Sequence, residues 1–374
     1  MKTIAQILPS LKQGGVETGT IEIATALKKA GIPNIVISAG GPMVALLKKI
    51  NVPHIELPVN TKNPIKMFLN TFKIIRVCQQ YNVGLMHVRS RAPAWSVKWA
   101  SKRSGIPFIA SYHGVYGIKP AIKKIYNSAM LGGVLTIAVS HFVKQHLMDV
   151  YHYPEDKIRV IPRGADLNRF NPEKIPEKQM LEFVKKYQIP FDKPVITLVG
   201  RLSKIKGQRE LIQAIKKMKH KEVTCLLVGG GAAPEYQQEL SALIHTLPEE
   251  TNLKIISVPS TEMPLVYKAS DIVVSARITP EAFGRTISEA NAMKKIVVAF
   301  NHGGPTETII NGKTGFLTPV GDILALAKAL DSILDMKPAD KRKMEEAAYQ
   351  NATTNFSIQK MCDSTISVYR EILK

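Results

Sequence analysis

Cysteine and long apolar runs are both scarce in this sequence of 374 residues. The three cysteines, Cys78, Cys225 and Cys362, have no second cysteine or histidine at metal-ligand spacing, so neither a disulfide framework nor a metal site is expected. We interpret them as buried, reduced thiols of a cytosolic protein. The longest apolar run, residues 129–139, is about half of the roughly 20 residues that a membrane helix requires. Residues 1–9 are too short and too interrupted for a signal peptide and predict a first strand.

Acidic residues are few in the first half of the chain. Residues 1–190 carry 27 Lys and Arg against 10 Asp and Glu, whereas residues 191–374 carry 24 against 20, within a net charge of +21. Such a field attracts polyanions, among them phospholipid head groups, phosphorylated glycolipids and nucleic acid, although a lysine-rich composition that only maintains solubility would give the same total. No helix-turn-helix, RRM or zinc module accompanies the charge, which disfavours nucleic acid. An oxidoreductase is disfavoured because no GxGxxG motif follows the first strand.

Short apolar runs alternate with segments of helical periodicity, which predicts an α/β protein with parallel sheets. The alternation stops at a proline-containing segment, residues 171–194, and then starts again. We therefore predict two doubly wound, Rossmann-like domains, residues 1–170 and 195–354, joined by a linker and facing a cleft. Residues 355–374 are predicted to form an amphipathic terminal helix that needs a surface to cover.

Ligands of open α/β sheets gather at the carboxyl ends of strands, so the residues after each predicted strand are the candidates for a site. Gly15 belongs to a loop whose glycines allow backbone N–H groups to approach a phosphate or a sugar, although a tight turn would look the same. Arg201 and Lys206 follow the first strand of the second domain and offer two cations to a diphosphate; exposed basic residues are the plainer alternative. Gly230, after the next strand, would also permit close approach of a ligand.

Two glutamates form the strongest candidate pair. Glu281 lies on a predicted loop, and Glu289 lies in the helix that this loop enters. Glu281 could face a reacting sugar, and Glu289 could accept hydrogen bonds from two vicinal ribose hydroxyls. An ordinary helix-surface carboxylate is the alternative for Glu289, but its apolar neighbours favour a partly buried position. A further glycine-rich loop with Gly304 and Thr306 opens a helix whose N-terminus could meet an anion.

In this order, the segments resemble the retaining glycosyltransferases of family four, which have the GT-B fold of two Rossmann-like domains. The resemblance covers nearly the whole chain and is carried by residues 160–170, 199–207, 281–289, 303–307 and 311–317. The sequence departs from the family where Ala282 replaces a common glycine and where Arg285 occupies an often apolar position.

The resemblance implies a role for each candidate in the second domain. Arg201 and Lys206 would hold the donor diphosphate in place of a divalent cation, so neither a metal nor another cofactor is required. Glu289 would bind the ribose, and Glu281 would contact the transferred sugar near its reacting face. Arg285 would reach a donor or acceptor phosphate, or be solvated.

Further donor contacts follow from the same resemblance. Gly15 would approach the diphosphate from the opposite domain, and His113 would contact the donor sugar at the cleft. The amides around Gly304 and Thr306 would hold sugar hydroxyls or phosphate, and the terminal helix would cross back onto the first domain. The donor is expected to be a UDP-sugar, with GDP- and ADP-sugars as alternatives.

The acceptor is predicted to bind the first domain. Arg89 and Arg91 follow a strand and could bind an anionic acceptor, with Trp95 as a sugar-stacking surface; a core-facing tryptophan with surface arginines is the alternative. The segment also resembles bacterial members that build lipopolysaccharide or other envelope glycans. Two basic amphipathic stretches, residues 62–76 and 117–131, could lie on an anionic leaflet.

We therefore expect a monomeric, cytoplasmic hexosyltransferase that associates with the inner face of the membrane. It would transfer a sugar, with retention of anomeric configuration, to a glycan or glycolipid such as the lipopolysaccharide core. A nucleotide-sugar epimerase of the same fold is the alternative, and it would release an isomerised sugar without transfer.

Overall fold

Each half of the chain forms a parallel β-sheet flanked by helices. The computed structural model describes residues 1–12, 14–117, 119–190 and 192–374. These residues divide into two units, one formed by residues 1–162 with 359–374 and the other by residues 163–358.

The first unit contains seven parallel strands in the order β3-β2-β1-β4-β5-β6-β7. The strands are β1 (Thr3–Ile7), β2 (Asn34–Ser38), β3 (His54–Glu56), β4 (Val83–Val88), β5 (Phe108–Tyr112), β6 (Leu135–Ala138) and β7 (Ile158–Val160). The helices are α1 (Gly15–Lys29), α2 (Val44–Lys49), α3 (Pro64–Gln80), α4 (Arg91–Ser104), α5 (Ile122–Ser128) and α6 (His141–Tyr151). Strands β1, β2 and β5 are buried along their whole length, as is typical of a parallel sheet covered on both faces.

The second unit contains six parallel strands in the order β10-β9-β8-β11-β12-β13. The strands are β8 (Val195–Val199), β9 (Thr224–Val228), β10 (Asn252–Ile256), β11 (Ile272–Ser275), β12 (Ile296–Phe300) and β13 (Gly315–Thr318). The helices are α7 (Glu177–Tyr187), α8 (Gln208–Lys217), α9 (Pro234–Ile244), α10 (Met263–Ala269), α11 (Arg285–Ala292), α12 (Pro305–Thr308), α13 (Ile323–Leu334) and α14 (Pro338–Asn355). In each sheet the first three strands run in order from the middle of the sheet to one edge. The next strand then lies on the other side of the first one, and the remaining strands continue to the opposite edge. This order confirms two doubly wound domains.

The segment that we expected to be a linker, residues 171–194, contains α7 and belongs to the second unit. Met180, Phe183 and Val184 of α7 are buried in an apolar cluster that also contains Leu265 and Val266 of α10. A helix with three buried apolar side chains packs as part of a domain, which agrees with a unit boundary between residues 162 and 163.

The last helix, α15 (Ile358–Leu373), groups with the first unit from residue 359 onward. Its Tyr369 is 1% exposed, and its hydroxyl lies 2.5 Å from Nδ1 of His87 in β4. The other ring nitrogen of His87 lies 2.8 Å from the Ser111 hydroxyl of β5. This buried hydrogen-bonded chain fixes α15 to the centre of the first sheet.

The three cysteines are free and buried. Burial raises the pKa of Cys78 and of Cys362 to about 12, so both thiols stay protonated near neutral pH. Among the residues that the structure describes, no helix is both long and apolar enough to cross a membrane.

Candidate functional site

The candidate site of the second unit lies at the carboxyl ends of β8 and β11, the neighbouring strands at which the strand order reverses. The loops after two such strands lead to helices on opposite faces of the sheet, which leaves a crevice for a ligand. The loop after β8 carries Arg201 and Lys206, and the loop after β11 carries Glu281. The fold therefore brings together segments that are about 75 residues apart in the sequence.

The two loops are in direct contact, and this contact requires glycine. Gly207 has a φ of +80°, and a Cβ at this position would overlap the carbonyl oxygen of Ala276. The Ile278 amide donates a 3.2 Å hydrogen bond to the Ile205 carbonyl oxygen beside it. The loops are thus held side by side by their backbones.

Glu281 lies between two cations. Its Oε1 atom is 3.5 Å from Nζ of Lys206 and 3.4 Å from Nη1 of Arg277, and the three side chains are between 18% and 24% exposed. Arg277 also donates from Nε to the Thr279 hydroxyl at 3.1 Å, and its carbonyl oxygen is 2.7 Å from Nε2 of His302. No motif or spacing in the sequence distinguishes Arg277 from the other basic residues. The cluster holds more positive than negative charge, so it favours an anionic ligand.

Arg201 is exposed on the same loop as Lys206. Its carbonyl oxygen accepts a 3.0 Å hydrogen bond from the side chain of Gln208, which is fully buried at the start of α8. This bond fixes the loop at the helix N-terminus, where the helix dipole adds to the positive potential.

Glu289 of α11 is mostly buried, with a side chain 13% exposed. Its Oε1 atom is 3.1 Å from Nε of Arg285, and its Oε2 atom accepts a 3.0 Å hydrogen bond from the Tyr267 hydroxyl. Burial raises the pKa of Glu289, while the charge of Arg285 and the bond from Tyr267 act in the opposite direction. The partly buried position that we expected for Glu289 is confirmed, and Arg285 pairs with this carboxylate rather than being merely solvated.

The glycine-rich loop after β12 packs against the Glu281 loop. The Gly304 amide donates a 2.7 Å hydrogen bond to the Glu281 carbonyl oxygen, and the Thr306 amide donates to the Gly303 carbonyl oxygen at 3.2 Å. A Cβ at Gly304 would overlap the backbone of Phe283. We expected the amides around Gly304 and Thr306 to bind the ligand, but both donate within the protein, because the close packing of the two loops makes the Glu281 and Gly303 carbonyls their nearest acceptors.

The glycines after β9 contact the Arg201 loop through their backbone. The Gly230 carbonyl oxygen accepts a 3.2 Å hydrogen bond from the Leu202 amide, which connects it to the Arg201 loop. The closest approach, however, is at Gly229, where a Cβ would overlap the Gly200 carbonyl oxygen, whereas one at Gly230 would make an ordinary contact with Ser257. Gly229 is therefore the position at which packing against the Arg201 loop requires glycine.

In the first unit, Gly15 and His113 lie at one edge of the sheet. Gly15 begins α1 after β1, and His113 is half-buried directly after β5. Because all strands of the sheet are parallel, both residues lie on its carboxyl edge.

The three candidate acceptor residues of the first unit have different surroundings. Arg89 is only 4% exposed, and its amide donates a 2.9 Å hydrogen bond to the Ile7 carbonyl oxygen of β1. Burial lowers its pKa, and Tyr369 and Glu22 oppose this shift. We expected Arg89 to contact an acceptor, but its buried side chain contacts Tyr369 of α15 instead. Arg91 and Trp95 are half-buried in α4, and the indole Nε1 of Trp95 donates a 3.1 Å hydrogen bond to the Tyr126 carbonyl oxygen.

Among the described residues, no group of three or more His, Cys, Asp or Glu side chains is arranged to hold a metal ion.

Two family models match the chain in series, "Glycosyltransferase Family 4" over residues 13–169 and "Glycosyl transferases group 1" over residues 179–351. A solved glycosyltransferase from Rickettsia africae is 42% identical, and the alignment covers 100% of this chain and 99% of that one with a TM-score of 0.92. The chain belongs to the family-4 glycosyltransferases.

Other relatives of this glycosyltransferase are more distant. Anabaena HepE, solved in complex with UDP-glucose, has 23% identity and a TM-score of 0.85 over 99% of this chain and 100% of that one, a likeness that shows the fold alone. The D-inositol 3-phosphate glycosyltransferase of Corynebacterium jeikeium is 31% identical over 241 residues, which are 61% of this chain and 55% of that protein. The GT-B architecture expected from the sequence is thus confirmed.

Proposed function

We propose that this glycosyltransferase moves a hexose-type sugar from a nucleotide-diphosphate donor to a glycan or glycolipid acceptor, with retention of anomeric configuration. A UDP-sugar is the first candidate, with GDP- and ADP-sugars as alternatives. One observation carries the proposal: at the carboxyl ends of β8 and β11, cations surround the half-buried Glu281. The mostly buried Glu289 lies in the helix that follows the Glu281 loop.

Lys206 and Arg201 would neutralise the charge that develops on the diphosphate as the bond from the sugar to the leaving phosphate breaks. Preoriented cations at this position stabilise the leaving group without reorganisation, and a single lost contact of this kind costs about a hundredfold in rate. Lys206 would exchange its 3.5 Å contact with Glu281 for one with the diphosphate. Arg277 would then remain beside Glu281 and keep this carboxylate ionised and oriented toward the sugar hydroxyls.

Glu289 would accept hydrogen bonds from the ribose hydroxyls of the donor. Each carboxylate oxygen can accept about two hydrogen bonds, so the contacts with Arg285 and Tyr267 leave capacity for a ligand. These two contacts hold the carboxylate in one orientation before the donor binds. Gly15 of the first unit would contact the diphosphate, and His113 of the same unit would contact the donor sugar.

The acceptor class that we propose is a bacterial envelope glycan, such as the lipopolysaccharide core, reached from the cytoplasmic face of the membrane by a monomeric enzyme. The excess of basic residues in the first half of the chain supports an anionic surface as its partner. Co-sedimentation with liposomes tests the membrane association. Recovery should rise when anionic lipid is included, and equal recovery with neutral and anionic liposomes would contradict it.

A panel of nucleoside diphosphates and their sugars, read by thermal shift, tests the donor site. The stabilising donor is then supplied with glycolipid acceptors, and the anomeric configuration of the product is determined by NMR. Transfer with retention is expected. Release of an isomerised free sugar without transfer would identify an epimerase instead, and an absence of stabilisation by every nucleotide would contradict the donor site.

A further inference from the structure

The first unit contains a pocket of ≈ 390 Å³ at the carboxyl end of β4, where α4 begins. Arg91 of α4 lines it together with Lys62 from the segment before α3 and with Ile122, Lys123 and Tyr126 of α5. Three sequence segments that looked unrelated, the two basic amphipathic stretches and the segment after β4, therefore meet at one pocket.

The lining of this pocket is cationic. Lys62, Arg91 and Lys123 all contribute to it, and no carboxylate lines it within the described part of the chain. Arg91 is held by neutral partners, since its guanidinium lies 4.1 Å from the ring centroid of Tyr116 and its Nη1 donates to Oδ1 of Asn127 at 3.2 Å. These contacts orient the guanidinium without neutralising its charge, which remains available to an anion.

Two further features suit an anion with several oxygen atoms. Ser90, the N-cap residue of α4, makes no side-chain capping bond, and Ser90, Arg91 and Ala92 all line the pocket, so the N-terminus of this 14-residue helix lies at the pocket without a capping side chain. The Tyr126 hydroxyl is buried and has no hydrogen-bond partner in the part of the chain that the structure describes. Buried polar atoms without partners are rare in folded proteins, and this one belongs to a residue that lines the pocket.

Exposed apolar side chains flank the pocket. Both α3 and α5 pack against α4, and each presents large apolar residues to solvent: Ile65 and Leu69 of α3 are 72% and 53% exposed, and Ile122 and Ile125 of α5 are 71% and 61% exposed. Apolar side chains interspersed with lysines on a protein surface are typical of helices that lie in a membrane interface.

We propose that this pocket binds the phosphate group of a phosphorylated, lipid-borne saccharide while α3 and α5 contact the membrane that carries it. The identification of this molecule as the acceptor rests on the proposed function, but its binding can be measured without transfer. A phosphate matches the pocket because three cations and a helix N-terminus surround one compact site.

The test uses the full-length protein and phosphatidylcholine vesicles that contain about one fifth phosphatidic acid, which carries a phosphomonoester, or phosphatidylglycerol at matched zeta potential. The pocket variant is Lys62→Gln with Lys123→Gln, both exposed positions. The control variant is Lys48→Gln with Lys49→Gln, which removes the same charge from exposed positions of α2. The wild-type protein should prefer phosphatidic acid, and the pocket variant should lose about tenfold in affinity for these vesicles while the control loses less than about twofold.

Equal losses in the two variants, or equal affinity for the two kinds of vesicle, would show attraction by net charge alone and would overturn the proposal. Binding of inorganic phosphate that is weaker in the pocket variant, with no binding of vesicles, would assign the pocket to a soluble anion and would overturn the lipid-borne ligand. The thermal shift with UDP is recorded on the same samples. If UDP produces no thermal shift in the wild-type protein, the donor site is contradicted, whereas the conclusion from the vesicles still stands.

Discussion

The Tyr267 hydroxyl donates a 3.0 Å hydrogen bond to Oε2 of Glu289, and both side chains are largely buried. Removal of this donor in Tyr267→Phe leaves a buried carboxylate with one partner fewer. We expect a loss of about 2 kcal/mol in the free energy of unfolding, the range for a hydrogen bond to a charged group. The donor KM should rise several-fold with little change in kcat, because Tyr267 positions the carboxylate and does not touch the reacting atoms.

Tyr187→Phe is the matched control for this experiment. The Tyr187 hydroxyl donates a 2.8 Å hydrogen bond to Glu262, a more exposed carboxylate of the same unit. This variant loses the same type of contact away from the site, so its donor KM should stay at the wild-type value. A similar rise in KM in both variants would show that the effect arises from stability alone.

Arg285 should control the pH dependence of donor binding. Burial raises the pKa of Glu289, and the nearby charge of Arg285 opposes this shift. Ribose hydroxyls donate to the ionised carboxylate, so binding is retained above the pKa of Glu289 and is lost as the pH falls through it. Arg285→Met removes the opposing charge and should move the acidic limb of kcat/KM for the donor to higher pH, whereas Arg285→Lys should move it less.

The measurement is kcat/KM for the donor as a function of pH in the wild-type protein and the two variants. A uniform decrease in Arg285→Met at every pH would instead indicate that Arg285 contacts the donor directly.

Arg277 should contribute to turnover through Glu281. In Arg277→Met the carboxylate of Glu281 loses the 3.4 Å contact that would remain after Lys206 binds the diphosphate. We expect kcat to fall about tenfold or more, with partial recovery in Arg277→Lys. Arg209→Met is the control, because Arg209 is half exposed and pairs with Glu210 in its own helix, α8, and with Glu239 of α9. Equal kcat values for the Arg277→Met and Arg209→Met variants would contradict a role for Arg277.

Gly207 should be indispensable for the contact between the β8 and β11 loops. In Gly207→Ala the new methyl group would overlap the Ala276 carbonyl oxygen, in addition to the strain of about 1–2 kcal/mol that a positive φ imposes on alanine. Gly231→Ala is the control, since Gly231 has a φ of +79° and its added methyl group would meet no atom of the described residues within 4 Å beyond its chain neighbours. Chemical denaturation should show a larger loss of stability for Gly207→Ala, together with a higher donor KM. Equal losses would show that φ strain alone accounts for the effect.

The long buried strands could be predicted from sequence because parallel strands covered on both faces are continuous apolar runs. Strands β3, β6 and β7 were not predicted. Strands β3 and β7 are edge strands of three residues with partly exposed side chains, and β6 is a buried strand of four residues within the apolar run 129–139. The assignment of α7 to the second unit depends on tertiary packing against α10, which local periodicity does not reveal.

At the site, the positions of Glu281 and Glu289 after β11 and in α11 could be predicted, because they follow from the order of strands and helices. Their partners could not. Tyr267 precedes Glu289 by 22 residues on another helix, and Arg277 is one cation among 51 Lys and Arg without any distinguishing spacing. Arg89 is an example of a residue whose role was predicted wrongly from its position. A basic residue after a strand was expected to face a ligand, but Arg89 is buried and its amide still pairs with Ile7 of β1.

We propose that Arg201, Lys206 and Glu289 bind different parts of one nucleotide diphosphate. Calorimetric titration of UDP and of uridine, or of the GDP or ADP pair if the thermal-shift panel selects it, separates these parts. The double variant Arg201→Gln with Lys206→Gln should bind the diphosphate more than about tenfold more weakly and should keep its affinity for the nucleoside. Glu289→Gln should lower the affinity for both. Lys204→Gln, an exposed position on the same loop, should change neither. Undiminished UDP affinity in the Arg201/Lys206 double variant would contradict the account.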